Sequence, residues 1–145
     1  MEVFDKQLIA PCGMNCAICS RYLAYKNKLP VVKGKIYHCS GCRPEDRKCV
    51  VQKNCTDNRK LLKREIDFCF KCNNFPCERL LKLDRRYRKN YNMSMVENLM
   101  NIKTDGLAKF VKKQSRKYKC PNCDGLISVH NGKCFACDYI KSWKK

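Results

Sequence analysis

The chain has 145 residues, of which 14 are cysteine, and its 32 lysines and arginines outweigh 13 aspartates and glutamates to give a formal charge of +19. Nowhere do eighteen apolar residues run together, which excludes a membrane-spanning helix, and the opening MEVFDKQLIAP lacks the basic start and apolar run of a secretory signal. We therefore expect a cytoplasmic chain with reduced thiols, in which the cysteines are metal ligands rather than a disulfide framework. Small domains bury too little surface to be stable unaided, and apolar residues are sparse before position 80. A structural zinc ion, contributing about 10 to 16 kcal/mol of binding energy, can replace the missing core.

The first stretch, from about Ile9 to Leu81, reads as short helices and loops. It carries Cys12-x3-Cys16-x2-Cys19, Cys39-x2-Cys42, the single Cys49 and Cys55, and Cys69-x2-Cys72-x4-Cys77. Ten thiols suffice for two four-ligand sites with two left over. The ligands are almost purely sulfur, since His38 is the sole histidine of this half. Such a set suits 4Fe-4S clusters and four-thiolate zinc nearly as well; the closely spaced triplets tilt the reading toward iron and sulfur. Cys12, Cys16 and Cys19 also have the spacing of radical S-adenosylmethionine enzymes. A full barrel of that kind takes roughly 200 residues or more, and no repeated strand–helix pattern supplies one. His38 next to Cys39 is read as a stray ligand or supporting donor rather than half of a catalytic pair, so no catalytic residue is assigned.

The second stretch, Pro76 to Lys119, is expected to be helical. Pro76 fits a first turn, and Leu80, Leu83, Tyr87 and Tyr91 follow at spacings of three and four, forming one inward stripe. Ser94-Met-Val-Glu97 matches a capping box and opens a helix to about Lys103 that carries Val96, Leu99 and Met100 inward. Thr104-Asp105-Gly106 breaks it, with Thr104 or Asp105 capping a further helix whose Leu107, Phe110 and Val111 share a face. The third stretch holds Cys120-Pro-Asn-Cys123 and Cys134-Phe-Ala-Cys137, two CxxC knuckles separated by Leu126-Ile-Ser-Val129, read as a strand, and by an Asn131-Gly132 turn. Two such pairs across a hairpin make a closed tetrahedral zinc site with no open position, hence a structural one. Tyr118, Tyr139 and Trp143 are read as an apolar cap around it, and His130 as an exposed hairpin residue.

Charge is unevenly spread. Residues 79 to 119 carry 13 basic and 3 acidic groups, over half of the excess. A surface this positive points to a polyanionic partner, nucleic acid before membrane. The residues expected to contact phosphates are Arg79, Lys82, Arg85, Arg86, Arg88, Lys89, Lys112, Lys113, Arg116 and Lys117. Such contacts are sequence-tolerant. Single strands are favoured because Tyr87, Tyr91 and Tyr118 are interleaved with the charges and offer stacking surfaces.

Cys12-Gly-Met-Asn-Cys16-Ala-Ile-Cys19, Cys39-Ser-Gly-Cys42 and Cys69-Phe-Lys-Cys72-Asn-Asn-Phe-Pro-Cys77 together resemble a prokaryotic cysteine-rich family known only as a domain of unknown function. Its members open with CGxxCxxC and close with CxxCxxFPCxxL. Some are similar further on, and here Glu97-Asn98-Leu99, Gly106 with Phe110, Tyr118 and Cys120-Pro-Asn-Cys123-Asp-Gly125 correspond. Tyr118 and Asp124 depart mildly from the tryptophan and glycine common at those places. The resemblance implies metal binding and an archaeal or bacterial source, and supplies no activity.

The sequence thus predicts a small metal-stabilised, mainly α fold with short irregular segments and a C-terminal β-hairpin zinc ribbon. It divides into a cysteine-rich domain (1–81), a basic helical connector (82–117) and the ribbon (118–145). The expected function is nonenzymatic nucleic-acid binding, DNA or RNA. The alternative is an iron–sulfur redox, electron-transfer or maturation protein.

Overall fold

A computed structural model of the chain describes residues 4–34, 37–40 and 66–137. Cys42, Cys49, Cys55, Tyr139 and Trp143 lie outside the described residues.

The fold begins with the first cysteine turn. Ala10 N–H donates to the Met14 carbonyl at 2.8 Å and Gly13 N–H to Ala10 at 3.0 Å, closing a tight loop. Gly13 has φ +89°, and a β-carbon there would sit 2.8 Å from the Met95 carbonyl oxygen, so both backbone and space require glycine. Asn15 then accepts the Ala17 N–H at 3.0 Å and caps a 3-10 turn, Cys16–Ile18. Helix α1 (Ser20–Lys26) follows and buries Leu23 and Ala24. The closing cysteine motif returns to this place: Cys69 N–H donates to the Pro11 carbonyl at 2.9 Å and opens a second 3-10 turn, Cys69–Lys71.

Helix α2 (Glu78–Tyr91) starts two residues after Pro76, with Cys77 at its N-cap, so the proline precedes the first turn rather than occupying it. Leu80 is fully buried, and Leu83, Tyr87 and Tyr91 pack on the core as their spacing requires. The buried Asp84 on the same helix was not anticipated. Its Oδ1 accepts the Ser94 hydroxyl at 2.6 Å and the Val96 N–H at 3.0 Å, and Arg88 pairs with Oδ2 at 3.2 Å. A carboxylate of α2 thereby caps the start of the next helix.

That helix, α3 (Met95–Asp105), has Ser94 at its N-cap, accepting the Glu97 N–H at 3.0 Å. Its buried face is Met95, Asn98, Leu99 and Ile102. Met100, expected inward, is 42 % exposed; at 100° per residue it lies well away from the stripe through 95, 99 and 102. Thr104 and Asp105 lie inside α3 and cap nothing. Gly106, at φ +89°, joins it directly to α4 (Leu107–Lys117), which buries Phe110, Val111, Gln114 and Ser115. Helix α3 packs against both α2 and α4.

Beyond α4 the expected ribbon strands are reduced to two isolated antiparallel bridges, Lys119 with Leu126 and Ile127 with Cys134. The turn is present: Gly132 N–H donates to Ser128 at 2.8 Å, and Ser128 N–H to Lys133 at 2.9 Å. No extended strand occurs among the described residues, because knuckle bends at both ends leave only a residue or two to pair. The fold is small and mainly helical. The C-terminal segment is also not packed by itself. Tyr118 and Val129 are 1 % and 0 % exposed within the same core as Ile9, Leu80, Leu99 and Phe110, and Val129 N–H donates to the Ile18 carbonyl at 2.9 Å. Each large apolar side chain in that core stabilises the fold by about 1.5 to 3 kcal/mol.

Candidate metal centre and basic faces

The four C-terminal cysteines converge. The Sγ atoms of Cys120 and Cys137 are 3.6 Å apart, those of Cys123 and Cys134 also 3.6 Å, and all four lie within 4.8 Å of one another. A tetrahedron with metal–sulfur bonds of about 2.3 Å has edges of about 3.8 Å, so the cage fits a single ion. Each knuckle turns its own amides onto sulfur. Asn122 N–H points at Cys120 Sγ (3.4 Å) and Gly125 N–H at Cys123 Sγ (3.2 Å). Asn122 Nδ2 reaches Cys137 Sγ at 3.6 Å. These donors favour thiolate. At Cys123 the Gly125 N–H pulls the thiol down, but the crowding of Cys137, Cys134 and Cys120 together with burial pushes it up to about 12. Burial likewise raises Cys134. Four sulfurs at this separation cannot all carry charge unless a cation lies among them. The four cysteines can therefore hold a metal ion.

Two residues of this centre, named above only within the family motif, gain a role. A β-carbon on Gly125 would come within 3.0 Å of Cys134 Sγ and 3.3 Å of Cys123 Sγ, so this residue keeps the cage small. Asn122 supplies the side-chain donor. Its place inside the first CxxC was the available signal.

The described N-terminal thiols do not converge on a single-ion cage. Cys12, Cys16 and Cys69 are buried in the main core, and Cys19, Cys39, Cys72 and Cys77 are half-buried. Cys39 N–H donates to Arg21 at 3.2 Å, which brings it beside the start of α1. The Cys19 thiol is raised chiefly by burial, the Arg21 and Tyr22 N–H groups pulling it down and the nearby Cys16 and Cys39 adding to the rise. Among the described residues, the C-terminal four are the one group of three or more potential ligands whose donor atoms meet within 4.8 Å. His38 Nε2 lies 2.6 Å from the Leu29 carbonyl and faces the edge of Tyr25.

All ten basic residues expected to contact phosphates are exposed. Three of them meet carboxylates: Arg85 with Glu78 (3.3 Å), Arg88 with Asp84 (3.2 Å) and Lys113 with Asp105 (3.6 Å). The tyrosines interleaved with them serve otherwise. Tyr118 is buried with Lys117 over its ring, and burial lifts its hydroxyl to about 12. Tyr87 and Tyr91 form an edge-to-face cluster with His130. His130 Nδ1 accepts the Ser20 N–H at 3.2 Å while Nε2 meets the Tyr87 hydroxyl at 2.7 Å. Far from being an exposed hairpin residue, His130 pins the C-terminal loop to α1 and α2. Burial, with Arg21 and Arg86 nearby, lowers its pKa to about 4, and burial also raises the Tyr87 hydroxyl.

No helix among the described residues is long and apolar enough to cross a membrane. Residues 8–82, just over half of the chain, match the model of a family described as a protein of unknown function, DUF3795. No curated protein and no solved structure matches.

Proposed function

The chain belongs to the DUF3795 family, whose description carries no activity, and from its own residues we propose a nonenzymatic nucleic-acid-binding protein built on metal-held supports. The observation that carries this reading is the disposition of α2 and α4. Each buries its apolar face while its outer face presents the ten exposed cations, and α4 contains no acidic residue to offset its own. Phosphate backbones are the common polyanion that such spaced charges fit. In the C-terminal cage the ligand is zinc, bound by Cys120, Cys123, Cys134 and Cys137. Bound there, it supplies a rigid joint and no chemistry, since four thiolates leave no coordination position open. The test is affinity for single- and double-stranded DNA and RNA across salt. Binding that weakens linearly on a log–log scale supports the reading, and affinity that stays flat between low and moderate salt removes it.

A second reading, an iron–sulfur redox or maturation protein, is favoured by the number of N-terminal thiols. The seven described ones, three of them buried, close on no single-ion cage, and a four-iron cube holds its thiolates farther apart than one ion does. Iron and zinc measured per chain on anaerobically prepared protein separates the readings: zinc alone ends the second.

A further inference from the structure

Two depressions share Lys119 and Asp124. The more open one, about 460 Å³, runs between Arg116 and the Cys120–Cys123 knuckle. The more enclosed one, about 430 Å³, lies where the Lys6–Leu8 turn, α1 and the C-terminal cysteine loop meet. Phe4, Leu8, Tyr22 and Leu126 give it apolar walls, and Lys26 joins Lys119 among the residues that border it. This volume lies at the low end of small-ligand sites, roughly 300 to 1,000 Å³, and accommodates one planar ring system.

In the enclosed cleft Lys26 and Lys119 are balanced by Asp5 and Asp124, whereas the open groove sets Arg116 and Lys119 against Asp124 alone and so favours an anion. The Asp5 carboxylate already caps the Gln7 N–H at 2.8 Å. Asp124 reaches Lys119 at 3.8 Å and is 99 % exposed; such a pair contributes little and yields to a better partner at small cost. Lys119 and Arg116 then face the open groove as phosphate donors, with Lys26 on the far side of the cleft. Tyr22, unlike Tyr87, Tyr91 and Tyr118, takes no part in the His130 cluster or the buried core; its ring is 6.3 Å from that of Tyr25, tilted by 45°. The cleft therefore offers the aromatic surface that the interleaved tyrosines do not.

We propose that single-stranded nucleic acid places one unstacked base in the cleft beside Tyr22, with the adjoining phosphate held by Lys119 and Arg116. This rests on the nucleic-acid reading above and specifies its ligand, because a base held in a duplex cannot enter the cleft. Non-specific single-strand sites combine the same two parts, a basic track and an aromatic platform.

The test compares the zinc-loaded full chain on a single-stranded oligonucleotide, on a base-free sugar-phosphate oligomer of equal length, and on a duplex. The base-free oligomer should bind about 10-fold more weakly or worse, since stacking on one aromatic ring is worth about that factor, with its salt slope unchanged. Tyr22→Leu should lose the same factor on the single strand alone, and Tyr22→Phe should retain it. Lys119→Gln, at an exposed position, should lower the salt slope by about 0.7 and stays informative if Tyr22→Leu does not fold. Equal affinity for the single strand and the base-free oligomer overturns the proposal while leaving the nucleic-acid reading standing. Absence of salt-dependent binding to any of the three overturns both.

Discussion

The two sets of cysteines are put in place at different ranges. Cys120, Cys123, Cys134 and Cys137 need only two knuckles and a turn to bring four sulfurs within 4.8 Å. The N-terminal thiols come from segments joined by long-range contacts such as Cys69 N–H to the Pro11 carbonyl and Cys39 N–H to Arg21, and their described members form no single-ion cage. A site assembled locally carries its ligand geometry in the spacing. One assembled through the fold shows only that thiols are numerous.

The contrast breaks most visibly on removing a ligand. Cys134→Ser should cost one bound metal ion per chain and the ordered structure of residues 118–137, since a structural ion contributes on the order of 10 kcal/mol to such a unit; Cys69→Ser should leave that ion in place. Metal content and amide exchange measure both. Unchanged metal content in Cys134→Ser would dissolve the distinction between the two sets.

The next effects concern what joins the regions. His130 is neutral in the folded protein, with its pKa lowered to about 4 from the ordinary 6.5. The stability that this contributes is complete above pH 6.5 and is lost as pH falls through 4, a change of roughly 3 kcal/mol. Because acid also competes with metal at the thiolates, the comparison is with His130→Gln. Its denaturant midpoint should vary less than that of the wild type between pH 7 and 5, and equal slopes would refute the pin. Asp84→Ala strands the Ser94 hydroxyl and the Val96 N–H and should cost about 2 to 4 kcal/mol in thermal or urea unfolding, without altering metal content. A metal loss there would mean that the Asp84 network supports the cage as well as the helices. Smallest is Gly125→Ala. Its β-carbon crowds Cys134 Sγ at 3.0 Å and should weaken metal binding about 10-fold in a chelator competition, with unfolding of the metal-saturated protein little changed.

Much of this was legible locally. The α2 stripe and the serine cap of α3 follow from spacings of three and four residues, and the C-terminal cage from two CxxC pairs joined by one turn. Met100 was misplaced because, next to Leu99 in sequence, it was grouped with the buried stripe although it lies on the far side of the helix. Thr104 and Asp105 look like caps but sit in α3, since a glycine able to adopt φ +89° can join two helices without a side-chain acceptor. The roles of His130 and Tyr118 were beyond reach for another reason. Their partners are Ser20, Tyr87 and the main core, up to 110 residues away, and no local pattern encodes a contact at that separation.

Gly13, described above for its tight turn, bears on where this protein can be cut. The family match ends at residue 82, yet the Gly13 carbonyl accepts the Asn98 amide at 2.9 Å and the turn rests against Met95 and Leu99, while Asn15 reaches Gln114 at 3.3 Å. The described part of the shared segment is thus closed against α3 and α4. A chain cut at residue 82 would leave the Gly13 carbonyl and the Asn15 amide without these partners and uncover the turn that rests on Met95 and Leu99.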